Sequence, residues 1–125
     1  MNGDTTHIKL AAKQVIESLD IETYQARKAV YVALENIILF DKKQKDYGPY
    51  NICGNPHPQL GVAFRAGDKV NRLLNLFVSD NGGKTPANET IDDSWSDMAN
   101  YGLIGQLLAR EEWLPRNGDT GIPPI

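Results

Sequence analysis

Charged residues at helical spacing form a basic stripe in the second half of the chain. The stripe recurs at intervals of three and four residues and consists of Arg65, Asp68, Lys69 and Arg72. A period of about 3.6 residues places such positions on one face of a helix. Arginine and lysine bind phosphate oxygens, and arginine does so with two parallel hydrogen bonds. The stripe is therefore a candidate phosphate-binding surface.

An acidic stripe follows after a polar loop. Its members are Glu89, Asp93, Asp97 and Asn100. Carboxylates one helical turn apart, such as Asp93 and Asp97, can ligate a hard cation, and two or three protein carboxylates are enough for Mg²⁺ when substrate phosphates supply further oxygens. We therefore expect a basic helix and an acidic helix, joined by the loop, to line one cleft. The apolar face of the basic helix is expected opposite its charges, at Val62, Ala66, Val70, Leu73, Leu74 and Phe77.

A purely structural explanation of these charges stays open. Thr90 and Asp93 have the spacing of a capping box, which accounts for an acid in the first turn of a helix. Asp68 and its basic neighbours fit ion pairs on a helix surface, each contributing only about 0.3 to 0.5 kcal/mol. Asp97 lies one turn further along and is the residue that this explanation covers least.

Composition limits the classes of protein to consider. A chain of 125 residues fits one domain, and a net charge of −3 without a long basic run gives no support to duplex nucleic acid as a partner. The single cysteine, Cys53, excludes an intrachain disulfide and suits a reducing compartment. No apolar run approaches the length of a membrane span, and no signal-peptide core begins the chain. We expect a cytoplasmic protein without a membrane partner.

Hydrophobic periodicity predicts an all-α fold of four helices resembling a bundle. The first helix is expected over residues 7–19, with Asp20 capping a long second helix over residues 21–45 that Gly48 ends. Pro58 is a candidate first residue of the third helix, and the fourth is expected over residues 91–112. Residues 113–125 read as an extended tail, so the packed part of the single domain is expected to cover residues 7–112.

The order of these motifs resembles a known family. The run Lys45-Asp46-Tyr47-Gly48, the basic stripe, and the acidic stripe followed by Tyr101 resemble the phage and bacterial nucleotide modification associated domain family. That family is more distantly similar to the MazG-like all-α nucleoside triphosphate pyrophosphohydrolases. The resemblance covers residues 43–108 and implies a MazG-like architecture. It also implies that Lys45, Tyr47, Asn100 and Tyr101 join the basic residues in binding substrate.

MazG-like enzymes hold Mg²⁺ with two acidic motifs on neighbouring helices. Asp93 and Asp97 match the second motif loosely, with a spacing of four residues in place of three. The first motif is missing, because the third helix offers only Asp68 among its basic residues. This departure leaves nucleotide binding without hydrolysis as an alternative.

Two functions are therefore expected as alternatives. In the first, the protein is a Mg²⁺-dependent nucleoside triphosphate pyrophosphohydrolase: Asp93 and Asp97 are catalytic and hold the metal together with Asp68 or Glu89, while Arg65, Lys69 and Arg72 bind the phosphates. In the second, the same cleft sequesters a nucleotide, such as a signalling nucleotide, without cutting it. In either case the partner is a nucleotide or a related phosphorylated small molecule.

We also expect a homo-oligomer, either a dimer or a larger assembly. The second helix has nearly continuous apolar residues over 30–34 and 37–40, more than a small bundle can hide. Its excess apolar surface is expected to pack against another subunit, with residues 121–125 as a possible added arm.

Overall fold

The computed structural model describes residues 5–48, 50–79 and 88–115, and gives only the backbone at residues 79 and 88–90. Within these ranges the chain forms four α-helices and no strand, which confirms the all-α prediction. The helices are α1 Thr6–Ser18, α2 Tyr24–Tyr47, α3 Pro58–Ser79 and α4 Asn88–Ala109. None of these described helices has both the length and the apolar character needed to cross a membrane.

The chain divides into two compact units, residues 1–43 and 44–125, where the sequence predicted one domain. The first unit holds α1 and most of α2. The second holds the last turn of α2, α3 and α4. Every site residue predicted from the sequence, from Lys45 to Tyr101, belongs to the second unit.

Asp20 ends α1, whereas the sequence predicted that it caps α2. Its φ of 52° is left-handed, a conformation that aspartate tolerates better than most residues. The amide of Ile21 then donates to the carbonyl of Ile16 at 3.0 Å, which closes the last turn of α1. The hydroxyl of Thr23 caps α2 by accepting from the amide of Ala26 at 3.2 Å.

The ends of α2 and the start of α3 follow local sequence signals. Gly48 ends α2 with a φ of 82°, and its amide donates to the carbonyl of Gln44 at 2.9 Å. Pro58 begins α3, as predicted, because its missing N–H costs nothing at that position. The carbonyl of His57 accepts from the amide of Gly61 at 3.0 Å, so His57 serves as a backbone cap.

Asn88 begins α4, so Thr90 and Asp93 lie inside the helix rather than at its first cap. A capping box of Thr90 and Asp93 therefore does not explain Asp93, because α4 begins before Thr90. At the other end, Glu111 has a φ of 59°, and the amide of Glu112 donates to the carbonyl of Leu107 at 2.8 Å. This closure ends α4 before residue 112.

The core of the second unit forms where α3 packs against α4. Packing continues beyond α4 through the segment that was expected to be an extended tail: Trp113 is buried, and Pro115 is among the largest fully buried side chains. These two residues help to line a cavity of about 170 Å³ against the segment before α3. Among the described residues of this unit, the buried apolar side chains are Ile52, Cys53, Val62, Leu73, Ile104, Trp113 and Pro115.

Candidate functional site

An ion pair joins the two helices that carry the charged stripes. The ammonium nitrogen of Lys69 on α3 lies 3.0 Å from a carboxylate oxygen of Asp97 on α4. The Lys69 side chain is 25% exposed and the Asp97 side chain 18% exposed, so both charges are largely withdrawn from water. The structure thus brings together one member of each predicted stripe.

Lys69 occupies this position because the inner face of α3 includes residues of both the predicted apolar face and the basic stripe. Val62 and Leu73 are buried on that inner face, and Lys69 shares it at helical spacing. Other members of the predicted apolar face are exposed: Val70 at 40%, Phe77 at 44% and Leu74 at 59%. The basic residues of the stripe other than Lys69 stay on the surface.

The exposed members of the basic stripe flank the ion pair. Arg65 and Arg72 are exposed and lie about one turn before and after Lys69. Asp68 is also exposed and adjoins Lys69 in the sequence. Two guanidinium groups are therefore accessible to an anion near the point where α3 meets Asp97.

The inward side of α4 is polar around Asp97. Ser94 is 2% exposed and Asn100 is 7% exposed, each three residues from Asp97. Buried polar groups in proteins normally make hydrogen bonds, and they fix the side chains around them. Asn100 was predicted as a site residue, whereas Ser94 was missed. Its signal is the spacing of three residues before Asp97, which places it on the same helix face.

The remaining predicted residues have different surroundings. Asp93 is exposed one turn before Asp97, and Tyr101 is half-buried one turn after it. Glu89 lies in the first turn of α4, but its side chain is outside the described residues. Lys45 and Tyr47 are exposed in the last turn of α2, not on α3 or α4.

A metal ion at this site would need oxygen atoms from a bound substrate as well as from the protein. The side chains that the structure describes include no group of three or more histidine, cysteine, aspartate or glutamate residues that could bind a metal ion. Asp97 is moreover engaged by Lys69. Two carboxylates one turn apart, Asp93 and Asp97, do fit Mg²⁺ that also binds substrate phosphates, because this ion often takes only one or two protein ligands.

A second cationic surface lies in the first unit, and its lining residues include none of those predicted for the site. It is a groove of about 510 Å³ between α1 and the start of α2. The guanidinium of Arg27 is anchored there by donating to the carbonyl of Ile21 at 2.7 Å. The lining residues on α1 recur at helical spacing, so the sequence already indicated that they share one face of the helix. The residues lining the groove are Thr6, Lys9, Leu10, Lys13, Ile16, Glu17, Arg27 and Tyr31.

Comparison with known proteins gives no relative: no family model, no curated protein and no solved structure matches this chain.

Proposed function

We propose that α3 and α4 form a nucleotide site, and that the protein is a Mg²⁺-dependent nucleoside triphosphate pyrophosphohydrolase with a MazG-like arrangement of helices. The observation that carries this proposal is the ion pair between Lys69 and Asp97. It supports a site that combines phosphate-binding cations with carboxylates.

The ion pair is a costly way to join two helices if packing is its only role. Withdrawing two charges from water carries a desolvation penalty, and apolar residues of similar volume are often at least as stabilising. Charged groups held partly out of water are instead common at functional sites, where they meet charged ligands. The buried Ser94 and Asn100 beside Asp97 add polar groups at the same place. A site that binds an ionic ligand accounts for this concentration of polar side chains.

The basic residues are suited to bind the phosphates. Arg65 and Arg72 are accessible and can each make two hydrogen bonds to phosphate oxygens. Lys69 has a flexible stem, so its ammonium can exchange the Asp97 carboxylate for a phosphate oxygen when a nucleotide binds. This exchange would release Asp97 from Lys69 at the moment when the phosphates arrive.

The carboxylates are suited to the hydrolytic step. Asp97 and Asp93 would hold Mg²⁺ together with the phosphates, with Asp68 or Glu89 as further ligands. The ion, when bound, offsets phosphate charge and lowers the pKa of water. The reaction adds water to the α-phosphorus and breaks its bond to the oxygen bridging the α- and β-phosphates, which yields a nucleoside monophosphate and pyrophosphate.

A second candidate function is nucleotide sequestration without cleavage. It is favoured by the lack of a three-carboxylate group among the described side chains, because hydrolysis by MazG-like enzymes uses two acidic motifs. Under this alternative, Arg65, Lys69 and Arg72 hold the phosphates, and Asp97 positions Lys69. A phage or bacterial protein of this kind would lower the free concentration of a nucleotide, including a signalling nucleotide.

A nucleotide panel separates these two functions. Each ribonucleoside and deoxyribonucleoside triphosphate, together with cyclic dinucleotides, is incubated with the protein with and without MgCl₂, and the products are resolved by chromatography. Pyrophosphate release that requires Mg²⁺ is the result expected for the enzyme. Thermal stabilisation with full recovery of the intact ligand is the result expected for sequestration. If no compound is turned over and no compound stabilises the protein, both functions are refuted.

A further inference from the structure

Helix α3 carries apolar side chains on two opposite faces. Its inner face contributes Val62 and Leu73 to the core, each 4% exposed. On the opposite side lies an outer stripe whose large apolar members are all exposed. They are Leu60 at 56%, Phe64 at 69%, Leu74 at 59% and Val78 at 86%. Between Phe64 and Leu74 the same face carries Gly67 and the exposed Asn71, so the apolar side chains form one pair at each end of the stripe. A helix that is apolar on both sides is normally buried on both, and exposed apolar residues grouped on one face mark an interaction surface.

The outer stripe is symmetric about the level of Lys69. Leu60 and Val78 lie nine residues on either side of Lys69, and Phe64 and Leu74 lie five residues on either side. The stripe extends for about 27 Å along the helix at a rise of about 1.5 Å per residue. In an antiparallel contact between two identical helices, residues equally far on either side of the two-fold axis meet each other, so this spacing pairs apolar residues with apolar residues.

Gly67 lies near the centre of the outer stripe. Glycine inside a helix costs about 1 kcal/mol relative to alanine. A Cβ at Gly67 would meet no atom within 4 Å, so packing within the described part of the chain does not require glycine there. A small residue does allow a second helix to approach closely, since the distance between packed helices depends on the side chains at their crossing point.

We propose that the outer stripe of α3 binds a second copy of this chain, with the two α3 helices antiparallel and related by a two-fold axis at the level of Lys69. Leu60 then packs against the partner's Val78, and Phe64 packs against the partner's Leu74. Gly67 then lies level with the partner's Asn71 near the centre of the contact.

The charges beside the stripe are complementary in the same arrangement. Asp68 and Arg72 are exposed on one flank of α3. Antiparallel packing about Lys69 brings Asp68 close in height to the partner's Arg72 on a shared flank, so opposite charges meet at the rim. Lys69 and Asp97 lie on the inner side of α3, so the contact leaves their ion pair in place. The proposal therefore stands apart from the nucleotide function.

Light scattering on the full-length protein at low micromolar concentration tests the proposal first. The expected mass is twice the 13.9 kDa of the chain. Phe64→Glu alone and Leu74→Lys alone should each give the monomer mass, because each places a charge in the apolar contact. Both positions are exposed, so circular dichroism should show unchanged helix content. A monomeric wild-type protein would overturn the proposal whatever the variants do.

The double variant Phe64→Glu with Leu74→Lys tests the register. Position 64 of each copy faces position 74 of the other, so the double variant should recover the dimer mass through two opposite-charge pairs. The matched control is Val32→Glu on α2, at a position that is 56% exposed and near the contact predicted from the sequence. It should leave the dimer intact. A dimer lost with Val32→Glu but kept with Phe64→Glu, or a double variant that stays monomeric, would overturn the antiparallel α3 contact.

Discussion

Lys69 and Asp97 connect the basic helix to the acidic helix across 3.0 Å, with each side chain at least three-quarters withdrawn from water. The two residues are 28 positions apart in the sequence and belong to stripes that were expected to line one cleft. Their contact fixes the point at which phosphate-binding groups and carboxylates can act on the same ligand.

Removing one partner of this ion pair should destabilise the protein more than removing an exposed charge nearby. Lys69→Met and Asp97→Asn are each expected to lower the free energy of unfolding by about 1 to 2 kcal/mol, because the remaining group stays partly buried without its partner. Arg72→Ala should change it by less than about 0.5 kcal/mol, as is usual for exposed positions. Urea denaturation measures all three. Equal effects for the three variants would show that the ion pair adds nothing to stability.

Asp97→Asn should abolish Mg²⁺-dependent turnover in a protein that remains folded, because the amide is a poor ligand for the cation. The charge-swapped variant, Lys69→Asp with Asp97→Lys, separates this role from packing. It should recover much of the lost stability, since the opposite charges still meet, but it should recover no turnover. Steady-state pyrophosphate release from both variants is the measurement. Turnover restored by the swap would reduce Asp97 to a structural partner of Lys69.

Arg65→Ala and Arg72→Ala should each weaken binding of a triphosphate about tenfold or more, in line with the loss of a charge-assisted hydrogen bond of about 1.5 to 3 kcal/mol. Binding of the matching nucleoside should change little, because it has no phosphate. Lys13→Ala is the control, since it removes one positive charge from the groove of the first unit. Calorimetry on both ligands tests this prediction. Equal losses for triphosphate and nucleoside would mean that the arginines do not read phosphate.

Two glycines should respond to alanine in opposite directions. Gly48→Ala should destabilise the protein by about 1 kcal/mol or more, because a φ of 82° strains any residue with a Cβ. Gly102→Ala should stabilise it by up to about 1 kcal/mol, since alanine favours the helix interior and its Cβ would meet no atom within 4 Å. Thermal unfolding of both variants checks the pair. A stabilising Gly48→Ala would contradict the left-handed end of α2.

The sequence predicted those parts of the fold that depend on local chemistry. Gly48 marks the end of α2 because glycine adopts a positive φ at little cost, and Pro58 marks the start of α3 because its fixed φ and missing N–H suit the first helical position. Local signals failed where two residues compete for related roles: Asp20 resembles a cap, but it ends α1 while Thr23 caps α2. The prediction that Asp20 caps the second helix was therefore wrong.

The site was predictable in its residue types but not in its geometry. Helical spacing places Lys69 in a stripe with Arg65 and Arg72, but it does not show which edge of that stripe faces α4. Only the packing of Val62 and Leu73 determines that Lys69 turns inward. The burial of Ser94 was missed for the same reason, since a serine reads as a surface residue until its neighbours are known.

The most direct test of the central claim locates the nucleotide by NMR. Amide resonances of the ¹⁵N-labelled protein are followed while a nucleoside triphosphate with MgCl₂ is added, and the experiment is repeated for each of the common triphosphates. A nucleotide site between α3 and α4 should give its largest shifts at residues 65–72 and 93–101, around Lys69 and Asp97. Shifts confined to the groove of the first unit at Lys9, Lys13 and Arg27, or no shifts with any triphosphate, would contradict a nucleotide site between α3 and α4.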